Sequence, residues 1–253
     1  MNIRGVFHLI SYLILFIGLA MTICASVSLY FNELLIYTMS FIYSGLISIL
    51  FALILLVLTK GSINLSRRDG FGMVTFGWII VALFGSLPYL MSNTISHPIS
   101  ALFETMSGFT TTGASILNNV ESYPKSILFW RALTQWLGGM GVVVLCVAIL
   151  PFLGVGGMQI FRAEIPGPSK DRLTPRITTT AKLLWGVYLL LTFTQILSLH
   201  FIGKMDWFDS VCHTFSTIAT GGFSTKSGSI GAFNSASVDI IITVFMFLSG
   251  INF

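Results

Sequence analysis

The chain alternates long apolar runs with short polar segments. A helix needs about 20 mostly apolar residues to cross the hydrocarbon core of a bilayer, and five runs reach that length. A sixth begins near Ser237. Alternation over about ten residues, which is typical of membrane barrel strands, is absent. The pattern therefore predicts an all-α integral membrane protein. The five complete predicted spans are Val6–Phe31, Leu34–Thr59, Phe71–Met91, Lys125–Leu153 and Thr179–Phe201.

The composition supports the same class of protein. Hydrophobic residues make up 55% of the chain and charged residues 9%, and the mean hydropathy is +0.90. No segment combines amphipathic periodicity with enough charge for a soluble domain. Arg4 precedes the first apolar run as in a secretory signal, but the run is too long for a signal peptide and a second run follows at once. We therefore interpret it as a membrane anchor.

The sequence lacks the patterns of a membrane hydrolase. Such an enzyme would need paired intramembrane carboxylates, a buried Ser-His pair or a His-Glu-x-x-His helix. The histidines are scattered, and the cysteines stand singly in or beside apolar runs, which indicates packing rather than metal or redox chemistry. We therefore expect no enzyme activity. These residues are His8, His97, His200, His213, Cys24, Cys146 and Cys212.

Basic residues are concentrated in alternate loops. Because cytoplasmic loops of membrane proteins are enriched in Lys and Arg, we expect the more basic side, and with it the N-terminus, to be cytoplasmic. The net charge of +4 then reflects orientation rather than nucleic-acid binding, and the basic loops are suited to anionic lipid. The basic side contains Arg4, Lys60, Arg67, Arg68, Arg162, Lys170, Arg172, Arg176 and Lys182. The opposite side contains Lys125, Lys204 and Lys226 beside Glu33, Glu121, Asp206 and Asp209.

Two semi-apolar segments are too short to span a bilayer, and each leads into a stretch rich in Thr and Gly. They are Ile99–Phe109 and Trp207–Ile218, and the stretches Phe103–Ser115 and Cys212–Ser224 align without a gap. Since each lies between two apolar runs, a unit of helix, re-entrant loop and helix occurs twice. The aligned pairs are Phe103 with Cys212, Glu104 with His213, Thr111 with Thr220, Gly113 with Gly222, and Ser115 with Ser224. The flanking helices repeat as well, since Leu137–Gly141 is echoed by Leu248–Asn252.

This repeat predicts four parts. Residues 1–68 form two additional N-terminal transmembrane helices, residues 69–153 the first repeat, residues 154–178 a cytoplasmic basic loop, and residues 179–253 a second, incomplete repeat. The last apolar run reaches Phe253 without a polar cap or a basic tail. We therefore expect a chain truncated after about one and a half repeats.

The Thr-Gly stretches have the composition of a cation filter. Non-helical backbone at membrane depth is tolerated where protein buries it or where it lines a water-filled cavity. A Thr-x-Gly segment can turn successive carbonyl oxygens toward an axis, where they replace the hydration shell of an ion. A preceding half-helix directs its partially negative C-terminus at that ion. The alternative is that these residues form ordinary turns and helix contacts.

Three motifs resemble the TrkH/KtrB potassium transporters: Thr110–Gly113, Trp130–Gly141 and Ala219–Ser224. The resemblance extends over essentially the whole chain, and the two additional helices make it more similar to the TrkH branch. It implies four repeats around one pore, of which this chain would be the N-terminal portion. It also implies potassium at backbone oxygens of the filter. The implied filter residues are Thr111, Thr112, Gly113, Thr220, Gly221 and Gly222.

The resemblance further implies potassium uptake across a bacterial cytoplasmic (inner) membrane, down the electrochemical gradient or with ion coupling as in a symporter. Potassium would be the transported ion, with no covalently bound cofactor. The implied partners are a second copy, forming a homodimer, and a cytosolic nucleotide-binding subunit resembling TrkA, which would dock on the basic loop Arg162–Lys182. The alternative is a nonconducting truncated fragment or a membrane assembly module.

Arg131 lies within an otherwise apolar helix. An unpaired arginine at the centre of the bilayer costs roughly 3 kcal/mol, and Glu104 on the first half-helix is the nearest carboxylate by topology. We hypothesise that the two residues pair and support the filter; the alternative is that Arg131 extends to the outer surface and Glu104 faces the vestibule. His213, which replaces Glu104 in the second repeat, is interpreted as a neutral structural group rather than a proton site. The glycines of segment 138–141 are expected to allow close helix packing rather than to form a hinge.

Overall fold

The computed structural model describes residues 2–60, 67–153 and 173–251. Every regular element in this part of the chain is helical, which confirms the predicted all-α fold. Short turns of 3-10 helix lie at Val120–Ser122 and Ser229–Phe233 and one of π-helix at Ser198–Ile202. The α-helices are α1 (Ile3–Tyr30), α2 (Leu35–Leu58), α3 (Arg67–Gly85), α4 (Leu87–Met91), α5 (Pro98–Phe109), α6 (Lys125–Leu153), α7 (Leu173–Leu197), α8 (Trp207–Ile218) and α9 (Ala236–Gly250).

Within the described residues, four helical segments are long and apolar enough to cross a membrane. α6 contains 29 residues, which at 1.5 Å per residue is about 44 Å. By contrast, α5 and α8 contain 12 residues each and reach about 18 Å, so neither is long enough to cross. They are half-helices, as the sequence predicts. The four spanning segments are Ile3–Tyr30, Leu35–Leu58, Asp69–Met91 and Leu183–Ile202.

The two N-terminal helices cross at a pair of glycines. A Cβ added at Gly18 would lie 3.1 Å from the carbonyl oxygen of Gly45, and one added at Gly45 would lie 3.1 Å from the carbonyl oxygen of Gly18. Such small residues let helix backbones approach closely. The hydroxyl groups of Ser28 and Thr38 hydrogen-bond at 2.8 Å near the connecting turn. Because α1 also packs on α3 and α6, the additional helices lie against the first repeat.

The predicted span Phe71–Met91 is divided in the structure. α3 ends at Gly85, and the short helix α4 follows. Pro88 has no N–H to donate to the carbonyl oxygen of Phe84, so the ladder of helical hydrogen bonds is interrupted at this point. The span therefore contains a break that its apolar pattern does not show.

Trp130 of α6 occupies the centre of the main hydrophobic core. Its side chain is fully buried, and its ring meets Phe41 of α2 and Phe109 of α5 edge to face, with centroids 6.3 and 6.2 Å apart. The indole Nε1 donates a hydrogen bond to the carbonyl oxygen of Gly85 at 3.1 Å. Helices α2, α3 and α5 thus converge on α6.

The end of α7 and the start of α8 are joined through the π-helical turn. The imidazole of His200 stacks on Trp207 with ring centroids 3.7 Å apart. Its Nδ1 lies 2.9 Å from the carbonyl oxygen of Met205. The sequence pattern did not predict this wider turn, which orients the second half-helix.

The starts of α6 and α8 meet the α1–α2 turn at one end of the bundle. The Glu33 carboxylate accepts a hydrogen bond from the Ser126 amide at 3.0 Å. The Lys125 ammonium lies 4.0 Å from the ring centroid of Phe31 and 5.2 Å from that of Phe208. These segments therefore share one end of the molecule.

Some predicted features lie outside the described residues. They include Arg162, Lys170 and Arg172 of the basic loop and the final residues Asn252 and Phe253.

Candidate functional site

Both half-helices end in the same hydrogen-bonded cap. Thr111 after α5 and Thr220 after α8 have left-handed backbone, with φ of 54° at each. In both, the amide of the next residue donates to a carbonyl oxygen five residues earlier, which is the Schellman form of helix C-terminus. We call residues 111–113 and 220–222 the two filter segments. The amide and carbonyl pairs are Thr112 with Ser107 at 3.0 Å and Gly221 with Ser216 at 2.8 Å.

Each filter segment ends in a glycine with positive φ. The angle is +75° at Gly113 and +83° at Gly222, in the region that glycine enters without steric cost. Thr112 and Gly221, between the two left-handed positions, do not have positive φ, so handedness alternates along both segments. Alternation of this kind turns neighbouring carbonyl oxygens toward a common side. The two segments therefore share one backbone pattern, and this pattern is compatible with a carbonyl-lined cation filter.

The two filter segments are in contact. A Cβ added at Gly113 would lie 1.9 Å from the carbonyl oxygen of Gly221, so a larger residue requires a backbone shift. At Gly222, the matching position of the second segment, no described atom outside this glycine and its two chain neighbours lies within 4 Å of an added Cβ. That side of the second filter segment is therefore open in the part of the chain that the structure describes.

Glu104 and Arg131 form a buried ion pair behind the first filter segment. Arg131 Nε donates to Glu104 Oε1 at 2.8 Å, and both side chains are almost completely inaccessible. The same carboxylate accepts hydrogen bonds from the Ser115 hydroxyl and the Ile116 amide, each at 2.9 Å. Arg131 therefore does not extend to the surface. The pair holds the non-helical residues Ser115 and Ile116, which follow the first filter segment.

Arg131 also reaches the second repeat. One of its guanidinium nitrogens donates to the carbonyl oxygen of Ser224 at 3.3 Å, and its Cζ lies 4.2 Å from the centroid of the Phe223 ring. A guanidinium over an aromatic face is attracted by the ring electrons. One side chain of the first repeat thus connects the segments that follow both filter glycines.

His213 takes the place of Glu104 in the second repeat. Its Nδ1 lies 2.8 Å from the carbonyl oxygen of Asp209, and its Nε2 lies 3.0 Å from the Ser224 hydroxyl. A carbonyl oxygen can only accept, so Nδ1 carries the hydrogen. The Ser224 hydroxyl accepts from the Lys226 amide at 3.0 Å, and its own hydrogen is free to be donated to Nε2. This network suits a neutral imidazole.

Gln135 was not identified from the sequence as a site residue. It is fully buried, and its Oε1 accepts a hydrogen bond from the Phe223 amide at 3.1 Å. A Cβ added at Gly221 would lie 2.3 Å from its Cδ. A signal was available, because Gln135 follows Arg131 by four residues and so lies on the same helix face.

Two glycines of α6 allow the C-terminal ends of both half-helices to pack closely against this helix. A Cβ added at Gly138 would lie 2.0 Å from the carbonyl oxygen of Phe109, and one added at Gly139 would lie 2.9 Å from the Cβ of Ala219. Close packing thus accounts for this pair, as expected. At Gly141 the nearest atom would be 4.0 Å away, so this glycine is not needed for packing against the described residues.

The loops beyond the filter segments are joined as well. The Glu121 carboxylate accepts hydrogen bonds from the amide of Ser227, at 2.9 Å, and from its hydroxyl. The Ser227 hydroxyl also accepts from the Val120 amide at 3.1 Å. Together the side-chain and backbone hydrogen bonds from Ser227 lower the pKa of the Glu121 carboxyl below its ordinary value. The loops that follow the two filter segments are therefore hydrogen-bonded to each other.

The six predicted filter residues, together with Glu104 and Arg131, lie in one region, where two half-helices end in adjacent Thr-Gly segments. This arrangement defines an integral membrane protein of the pore-loop class. The profile of the TrkH family, described as cation transport protein, matches residues 37–253. The chain is 50% identical over 192 residues to the Trk system potassium uptake protein TrkH of Halomonas elongata, covering 75% of this chain and 40% of that protein.

Further relatives match over the whole chain. The Trk system potassium uptake protein TrkG of Escherichia coli K12 is 37% identical over 259 residues, covering 100% of this chain and 52% of TrkG. The crystal structure of the potassium transporter TrkH from Vibrio parahaemolyticus matches with a TM-score of 0.87 and 35% identity, covering 100% of this chain and 51% of that one. The chain belongs to the TrkH family of cation transport proteins, and the resemblance inferred from its motifs is confirmed. It spans about half of the length of these relatives or less.

Proposed function

We propose that the protein is part of a transporter that takes up potassium across a bacterial cytoplasmic membrane. The observation that carries this proposal is the contact between two filter segments with the same alternating backbone, at Thr111–Gly113 and Thr220–Gly222. The relatives named above are described as potassium uptake proteins, which supports potassium as the ion. In this proposal the protein is a transporter without catalytic activity or a covalently bound cofactor.

The filter replaces the water around the ion. Potassium would be bound by the backbone oxygens of the six filter residues, because carbonyl oxygens can substitute for its hydration shell. The C-termini of α5 and α8 lead directly into the filter segments, and their partial negative charge favours a cation there. Threonine side chains hold the backbone in place, as the hydroxyl groups of Thr110 and Thr112 hydrogen-bond at 2.8 Å.

Two filter segments surround an ion incompletely. The second segment has an open side at Gly222 among the described residues, and the relatives are about twice as long as this chain. Both observations support a pore that is completed by further filter segments. We propose that these come from the additional repeats that the family resemblance implies.

The proposed orientation places the N-terminus in the cytoplasm. Arg4 lies at the start of α1 and Lys60 just after α2, away from the end of the bundle that contains Glu33. The positive-inside tendency supports this assignment. A homodimer, a cytosolic TrkA-like nucleotide-binding subunit on the basic loop Arg162–Lys182, and anionic lipid at the same loop complete the proposal.

The test is ion flux in liposomes. Potassium and sodium flux are compared for the 253-residue chain and for a fusion of this chain to the half of Escherichia coli TrkG that it does not match. We expect potassium flux to exceed sodium flux at least in the fusion, and Gly113→Ser to weaken it. Selective flux from the chain alone would show that copies assemble a complete pore. If neither form conducts after correct insertion, the nonconducting alternative is favoured and the proposal is contradicted.

A further inference from the structure

The side chain of Gln135 lies beside the place where the two filter segments meet. Its amide is flat against the second segment, since a Cβ added at Gly221 would lie 2.6 Å from both Oε1 and Nε2. Toward the first segment, a Cβ added at Gly113 would lie 3.8 Å from Nε2. One buried amide of the first repeat therefore lies against the second filter segment and close to Gly113 of the first.

The orientation of this amide follows from its hydrogen bond. Of the two polar atoms of the Gln135 amide, only Oε1 can accept the hydrogen of the Phe223 N–H. The side chain is therefore oriented with Oε1 toward Phe223 and Nε2 away from it. Nε2 has no hydrogen-bond partner among the described residues. A buried donor without a partner is unfavourable, and proteins retain few of them without a reason. The unpaired donor therefore points to a role in the filter beyond filling space.

α6 belongs to the first repeat but supports the second. Arg131 and Gln135 are one helical turn apart on this helix, and both contact the backbone that follows Gly222. Arg131 contacts it through the carbonyl oxygen of Ser224, whereas Gln135 contacts it through the amide of Phe223. The backbone directly after the second filter segment is thus held by the neighbouring repeat at two successive residues.

We propose, resting on the proposed function, that Gln135 is a positioning residue that determines the preference for potassium over sodium. It fixes the second filter segment through the Phe223 amide and maintains the distance between Gly113 and Gly221. Its unpartnered Nε2 lies close to Gly113, where filter carbonyl oxygens can accept from it as ions move. A filter without this support can close around a smaller ion, because selectivity depends on how its oxygens are held.

The experiment compares three variants in the liposome flux assay, using the chain and its TrkG fusion. Gln135→Leu removes the amide at similar size, and Gln135→Glu retains an oxygen that can accept from Phe223. Gln195→Leu is the matched control, because Gln195 of α7 is also fully buried and both of its amide atoms lack partners among the described residues. Melting temperature and the amount of inserted protein are measured for each.

Gln135→Leu should lower the ratio of potassium to sodium flux about tenfold, which corresponds to one hydrogen bond of about 1.4 kcal/mol. Its melting temperature should fall below that of the Gln195→Leu control, because the buried Phe223 amide loses its acceptor. Gln135→Glu keeps an acceptor oxygen but lacks the Nε2 donors, so it should retain part of the selectivity. An unchanged flux ratio in Gln135→Leu would overturn the inference. An equal proportional fall of the potassium and sodium fluxes is such an outcome, because Gln135 would then support the fold alone. If the unsubstituted forms carry no potassium, the proposed function itself fails.

Discussion

Replacement of Glu104 by glutamine removes the negative charge that Arg131 contacts at 2.8 Å. Removal of one partner from a buried ion pair typically costs about 3–5 kcal/mol, because the other charge stays buried without compensation. Glutamine retains one acceptor oxygen at the same position. We therefore expect Glu104→Gln to lower the free energy of unfolding by about 3 kcal/mol, at the lower end of that range.

The same substitution should affect the filter. Glu104 accepts hydrogen bonds from the Ser115 hydroxyl and the Ile116 amide as well as from Arg131. A glutamine offers one acceptor atom in place of two, so one of these donors loses its partner. Each lost hydrogen bond is worth about 1 kcal/mol. We expect reduced potassium flux and a lower ratio of potassium to sodium flux.

A double-mutant cycle separates pairing from two independent effects. Arg131→Gln should also be destabilising, since it leaves the Glu104 carboxylate buried. The double variant with glutamine at both positions contains no buried charge, so its loss should be smaller than the sum of the single losses by about 1–3 kcal/mol. Thermal unfolding in detergent micelles, monitored by tryptophan fluorescence, measures the stability loss of each variant. Potassium flux is the second readout.

Additive losses, within about 0.5 kcal/mol, would refute the reasoning. The charge swap provides a second check. Exchange of the two residues should recover part of the transport lost in the single variants, but not all of it. A glutamate at position 131 would face the carbonyl oxygen of Ser224, which Arg131 now contacts as a donor at 3.3 Å.

Three further predictions follow from the same contacts. Gly113→Ala should reduce potassium flux more than Gly222→Ala, because its Cβ would lie 1.9 Å from a carbonyl oxygen whereas at Gly222 no described atom outside this glycine and its two chain neighbours lies within 4 Å; equal flux would contradict this. Gly138→Ala should lower the melting temperature, since its Cβ would lie 2.0 Å from the last carbonyl oxygen of α5; an unchanged value would show that the half-helix is not seated there. Ser227→Ala should raise the pKa of Glu121, because the Ser227 hydroxyl contributes most to its lowering, and carboxyl-carbon NMR titration would measure it. The pKa is depressed in the folded state, so this contact stabilises the fold above the ordinary carboxyl pKa and is lost as pH falls through the lowered value; an unchanged titration midpoint would contradict the assignment.

Much of the local structure could be predicted from the sequence. The half-helix predicted at Trp207–Ile218 has the same bounds in the structure. The gapless alignment that places Thr111 opposite Thr220 agrees with their identical φ of 54°. Both results depend on interactions between residues close in sequence, and these repeat wherever the local sequence repeats.

The contacts between repeats could not be predicted in the same way. Gln135 and Phe223 are 88 positions apart, and an amide in an apolar helix does not indicate which distant backbone group it will bind. The π-helical turn at Ser198–Ile202 likewise depends on packing between α7 and α8, because its His200 stacks on Trp207. The break before Pro88 is different, since the proline itself was a visible signal.

The most direct test of the central claim is to locate a potassium analogue. Crystals of the TrkG fusion grown with rubidium, whose anomalous scattering marks its position, would show where the cation binds. We expect rubidium beside the backbone oxygens of Thr111–Gly113 and Thr220–Gly222, and its loss in Gly113→Ser. Rubidium bound elsewhere in the membrane region, with both filter segments ordered and empty, would contradict the assignment of these segments as the potassium filter.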